Sequence, residues 1–154
     1  MLGVCQEIGG GRCGIRISPV TPANDASDAA PQALFEHVAS FLGTLNLAYV
    51  HTIEGSTGAA RDFQQGEKPF DYRALKTSYQ QSGGHGAWML NNAYDRALAD
   101  QAIDEVADLI AFGKAFIANP DLAARLKQGG PYNTPDRSTF YGGHSAGYTD
   151  YPRL

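Results

Sequence analysis

No run of lysine or arginine occurs anywhere in these 154 residues; 12 basic side chains stand against 16 acidic ones, for a net charge of −4. A surface of that balance, with a pI near 5.4, does not work by neutralising a nucleic-acid backbone or an anionic membrane. Long hydrophobic runs are missing as well. Nothing approaches the roughly twenty apolar residues that span a bilayer, and the basic-then-apolar order of a secretory signal is absent, so the expected setting is cytoplasmic. Cysteine is scarce. Cys5 and Cys13 are the only two, eight positions apart, with no histidine at ligand spacing, which argues against a disulfide framework or a zinc site and leaves two reduced, structural thiols. Without a G-x-S-x-G elbow or an HExxH pair, hydrolase chemistry has no support.

What is present is enough apolar sequence, 43% of residues, to build the core of one ordinary domain over 1–154. Four short apolar runs read as buried strands: Arg12 to Ser18, Leu47 to Ile53, Gly86 to Asn91 and Ala107 to Gly113. Each is followed by a stretch with helical spacing. In the clearest, residues 31–46, Leu34, Val38, Phe41, Leu42 and Leu45 share one face, and Pro31 suits a first turn. In the last, Asn119-Pro120-Asp121 opens a helix with Pro120 fitting N1 and Asp121 favouring the positive end. Four strand-helix units in succession predict an α/β chain with parallel strands joined by crossovers. The continuous hydrophobicity of the strands predicts cover on both faces. A closed (β/α)8 barrel needs eight such units, so the expectation is half a barrel with exposed strand edges, and further strands belonging upstream. Residues 55–71, a polar loop, and the Gly-, Pro- and Tyr-rich tail 130–154 stand outside the repeating plan.

Residues 9–14, GGGRCG, match G-x-G-x-x-G formally, but they leave a helix and enter a strand, the reverse of a dinucleotide fingerprint. A helix-to-strand turn is the expectation. His37 reads as an amphipathic-face residue; His51, near a strand end, could face a site, but a hydrogen-bonded core histidine is the favoured reading. Arg16, flanked by Ile15 and Ile17, puts a charge into an apolar strand and needs a partner there. That partner is either a core carboxylate or a ligand at the C-terminal mouth, and Ser18-Pro19 ending the strand favours the mouth. At the rim of a parallel barrel the last strand-to-helix loops commonly hold phosphate. Gly113 and Lys114 would suit that role, the first by close backbone approach and the second by charge. The same spacing also fits a solvated loop lysine.

The strings GIRISPVTP, LAYVHTIEG, Asn-Ala-Tyr-Asp, DLIAFGKAFIANPDLAARL and FYGGHSAGYTDYP together resemble the C-terminal half of the old yellow enzyme family, FMN-dependent ene reductases that include N-ethylmaleimide reductase and xenobiotic reductases. The resemblance covers about residues 2–153 and implies strands five to eight of a TIM barrel with FMN at the C-terminal mouth. By this resemblance Arg16 contacts the flavin N1/O2 edge. Asn92, Ala93, Phe112, Gly113 and Lys114 bind the cofactor phosphate, and Tyr141 lies near the substrate pocket. The family usually has arginine where Lys114 stands and often glycine where Asn92 stands. Its substrate-anchoring pair and proton-donating tyrosine belong to the first half of the barrel, so no catalytic residue is assigned here. The implied activity is NAD(P)H-driven reduction of activated C=C bonds in small molecules such as α,β-unsaturated carbonyls or maleimides. The alternative is a non-catalytic half-barrel that binds FMN or another phosphate ligand and pairs with itself or with a complementary half.

Overall fold

A computed structural model describes residues 1–21, 27–55, 64–65, 68–141 and 144–154. The chain forms two compact units, Met1–Ala111 and Phe112–Leu154.

The first unit carries four parallel strands, β1 (Gly14–Ile17), β2 (Tyr49–Ile53), β5 (Ala87–Asn91) and β6 (Leu109–Ala111), side by side in chain order. The short β3 (Gln64–Gln65) and β4 (Lys68–Pro69) pair antiparallel within the expected polar loop, whose residues 56–63, 66 and 67 lie outside the described set. Helix α1 (Leu2–Ile8) precedes β1; α2 (Pro31–Gly43), α3 (Tyr72–Gln81) and α4 (Arg96–Glu105) follow successive strands of the sheet. Local chemistry starts these helices. Pro31 occupies the first turn of α2, Asp71 accepts the Ala74 amide at 3.0 Å, and Asp95 accepts the Leu98 amide at 2.8 Å. The GGGRCG segment is a turn of 3-10 helix feeding β1, as the sequence implies. Gly10 is needed there because a Cβ would lie 2.1 Å from the Leu45 carbonyl oxygen.

The register aligns Ile17, Thr52 and Leu90 across the sheet, with Val50 beside Trp88, and all five are buried. Trp88 meets Tyr79 of α3 with ring centres 5.6 Å apart, so this face carries the core. The opposite face aligns Arg16, His51, Met89 and Leu109. Tyr49 and Leu109 on it are 38% and 44% exposed, so the expected cover on both faces is corrected to cover on one. Tyr79 of α3 and Leu98 and Ala102 of α4 lie on the side of Trp88 and Leu90, and a strand alternates its side chains between the two faces.

Helix α2 corrects a second expectation. Leu42 and the following Leu45 are buried, together with Ala39, but Leu34 and Phe41 are exposed. The packed stripe is narrower than the apolar one.

In the second unit α5 (Lys114–Ala118) and α6 (Leu122–Gln128) are followed by a 3-10 turn at Arg137–Thr139 and irregular chain. Asp121, not Asn119, is the cap of α6, which puts Pro120 one residue before the cap and not at N1. The Asp121 carboxylate is drawn away from capping by Arg125 Nε at 2.6 Å and by the Leu154 amide at 2.7 Å. Arg125, 3% exposed, spends its other nitrogens on the carbonyls of Pro131 and Pro152, both at 2.7 Å. Buried Asn119 accepts the Asn133 amide at 2.8 Å, and the Asn133 side chain donates to the carbonyls of Ala118 and Pro152, also at 2.8 Å. The tail is therefore fastened by side chains to backbone carbonyls and, at Leu154, to a backbone amide.

Candidate functional site

Parallel strands put their C-terminal ends on one edge of a sheet, and in the first unit three of the expected residues belong to that edge. Arg16 is the third of the four β1 residues and is exposed on the uncovered face. No carboxylate pairs with it among the described residues, so the reading of a core ion pair is corrected. Its register partner is His51. Burial, and then the Arg16 cation, hold the His51 imidazole below its ordinary value, which leaves it neutral at pH 7. His51 is half-buried and its Nε2 has no hydrogen-bond partner among the described residues, so it is not the satisfied core histidine expected from the sequence.

Asn92 and Ala93 follow β5 directly, and both have left-handed backbones, φ 126° and 52°. Non-glycine residues rarely adopt such angles, and a loop that retains two in succession stores strain of the kind found at ligand sites. The buried Asn92 donates its Nδ2 to the Glu54 carbonyl at 2.6 Å, which ties this loop to the end of β2. Ala93 is exposed. At Ala93 sequence reasoning does not reach this strain, since alanine does not signal a positive φ; at Asn92 the glycine often found in the family does.

Phe112, Gly113 and Lys114 begin the second unit immediately after β6 ends at Ala111. Phe112 is half-buried; Gly113 and Lys114 are exposed. Gly113 has φ −97°, which any residue can adopt, and a Cβ built there meets no atom within 4 Å. Packing among the described residues thus gives no reason for glycine. Lys114 makes no ion pair among them. Tyr141 is 91% exposed and edge-on to Phe140.

A pocket of about 610 Å³ does occur in the first unit, but Leu90, Leu98, Ala102 and Val106 line it, on the helix-covered side and away from the face of Arg16. Among the described residues no helix is long and apolar enough to cross a membrane.

The four parallel strands, the helices after them and the edge bearing Arg16, Asn92 and Ala93 define an α/β protein built as part of a (β/α)8 barrel. Residues 2–133 match the family model described as NADH:flavin oxidoreductase / NADH oxidase, and the chain belongs to that family. It is 39% identical, over 98% of its length, to a protein of Oryza sativa subsp. japonica named as a 12-oxophytodienoate reductase, covering 48% of that protein. A Leishmania infantum protein named as a flavin mononucleotide-dependent alkene reductase is 37% identical over 97% of this chain and 38% of its own length. Among solved structures, the old yellow enzyme from Trypanosoma cruzi superposes with a TM-score of 0.81 at 35% identity, covering 97% of this chain and 37% of that one. Morphinone reductase gives 0.80 at 36%, covering 98% and 38%. The chain spans less than half the length of these relatives.

Proposed function

We propose that this chain is the FMN-phosphate-binding half of an NAD(P)H-dependent ene reductase that reduces activated C=C bonds in small molecules. The observation that carries this reading is Gly113-Lys114, where, among the described residues, a glycine with no packing need sits beside a cation with no ion-pair partner, directly after a parallel strand. Those residues suit a phosphate, the glycine by admitting it close to the backbone and the lysine by charge. The strained Asn92-Ala93 turn in the first unit has amides of a kind that also suits an anion. Arg16, exposed on the uncovered face, would set its cation against the flavin's electron-rich edge, and neutral His51 beside it would leave that charge undiluted. Bound FMN supplies hydride chemistry, acceptance from NAD(P)H and delivery to the β-carbon of an electron-poor alkene.

The test is FMN titration followed by flavin fluorescence. Gly113→Ala should leave the melting temperature unchanged yet weaken FMN binding, because the added methyl meets no described protein atom but would occupy ligand space. Lys114→Ala should raise Kd by about 10-fold or more, the weight of one charge-assisted hydrogen bond. Unaltered Kd values for both variants would refute the phosphate role. NADPH oxidation dependent on 2-cyclohexenone then reports whether the chain turns over.

The uncovered sheet face favours a second reading, in which the chain pairs through that face with another copy or a complementary half and acts only as a binding module. Sedimentation separates the two. A mass of one chain with FMN bound goes against pairing, and a paired species that binds FMN without turnover supports it.

A further inference from the structure

Two left-handed residues in succession, Asn92 and Ala93, relax unless their surroundings fix them. Glu54, the residue after β2, meets three of the four residues from Asn91 to Tyr94. Its amide donates to the Asn91 carbonyl at 3.0 Å, its carbonyl accepts Asn92 Nδ2 at 2.6 Å, and its carboxylate Oε2 accepts the Tyr94 hydroxyl at 2.5 Å. The last two bonds bracket the exposed Ala93. Glu54 is itself firmly mounted. The next residue, Gly55, donates its amide to the Tyr72 hydroxyl at 2.5 Å, and its carbonyl accepts the Thr21 hydroxyl at 2.7 Å, which ties in the start of α3 and the chain after β1. Glu54 and the buried Tyr94 both line the cavity on the helix-covered side, away from the face of Arg16.

Resting on the reading of this turn as part of a phosphate site, we propose that Glu54 is a positioning residue, whose carboxylate holds Tyr94 and so keeps Asn92 and Ala93 in the left-handed form whose amides suit an anion. Of its three bonds to this segment, the one from Tyr94 is the one made by the Glu54 side chain, and it grips the chain beyond Ala93. A carboxylate suits that task because a hydroxyl donates more strongly to a charged acceptor than to a neutral one. The same charge works against an anion bound nearby, so repulsion and positioning give opposite signs for its removal. Were repulsion the main effect, truncating Glu54 would tighten anion binding. A positioning role makes the truncation weaken it.

The test titrates the whole chain with FMN and with riboflavin, which lacks the phosphate, and follows flavin fluorescence. Glu54→Ala and Tyr94→Phe should each raise the FMN Kd by about 10-fold, the weight of one hydrogen bond to a charged group, and leave the riboflavin Kd unchanged. The double variant should lose little more than either single one, since both remove the same bond. Glu54→Gln should bind FMN at least as tightly as wild type, because its amide oxygen still accepts from Tyr94 and the charge is gone. In the chain without ligand, the HN–Hα coupling and Cβ shift of Ala93 should report a positive φ in wild type and Glu54→Gln, and a mixture of conformations in the other two. Equal losses for FMN and riboflavin overturn the proposal, as does tighter FMN binding by Glu54→Ala or an Ala93 signal unchanged in it. If Lys114→Ala weakens FMN binding while Glu54→Ala does not, the proposal falls and the phosphate reading stands. If the wild-type chain binds no FMN, that reading falls and the proposal falls with it.

Discussion

Replacing Arg125 with alanine should lower stability by about 3 kcal/mol and free the tail. The guanidinium is 3% exposed and reaches Asp121, Pro131 and Pro152 from three different nitrogens. Truncation takes the donor from the Pro131 carbonyl, at roughly 1–3 kcal/mol where water cannot replace it, takes one of two donors from the Pro152 carbonyl, which keeps Asn133, and removes the packed stem besides. Spread over a chain of this size the shift in Tm is roughly 6–12 °C. Arg125→Lys should recover only part of it, because a single ammonium cannot span three acceptors set around a planar fork. The effect also depends on acid. The Arg125 hydrogen bond, and then the Leu154 amide, hold the Asp121 carboxylate below its ordinary range. A carboxylate lowered by folding stabilises fully above its unfolded value, near pH 4, and loses that contribution as pH falls through the lowered value. The gap between wild type and Arg125→Ala should therefore narrow below about pH 4. Thermal melts across that range, with proteolysis of residues 130–154 as a second readout, decide it. A variant that melts within ~1 °C of wild type would remove the anchor from this account.

Trp88→Ala should cost about 3–5 kcal/mol, the range for deleting a large aromatic from a closed core. Trp88 is fully buried on the covered face of the sheet, tilted 43° against Tyr79. Its backbone amide donates to Asp108 at 2.7 Å and survives the change, so the loss is one of packing. The indole Nε1 has no partner among the described residues. Trp88→Phe gives up volume but also relieves that unpaired donor, and should cost well under half as much as the alanine variant. Since Trp88 is the single tryptophan, far-UV circular dichroism is the measurement to use. Equal losses for phenylalanine and alanine would contradict the packing argument.

Much of this was legible in one dimension. The four apolar runs became four parallel strands in chain order, Pro31 opened its helix, and GGGRCG proved a turn because it left a helix and entered a strand. Arg125 was within reach too, since its offset from Asp121 is the helical i to i+4 spacing, but nothing local said that its remaining nitrogens would hold a tail. At Asn92 the glycine often found in the family hinted at a positive φ, but nothing in the sequence pointed to one at Ala93.

The sequence by itself determined the strand-helix alternation, because apolar periodicity and helix-opening residues act over a few positions and need no distant partner. It also placed the chain in its flavin oxidoreductase family, through strings such as AFGKAFIANPDL. Only the tertiary structure decided which side of each strand is covered. A period of two offers both faces equally, and the choice falls to whichever face the helices bury. It likewise decided that Arg16 is exposed beside His51, because contacts between residues far apart in sequence exist only once the chain has closed on itself.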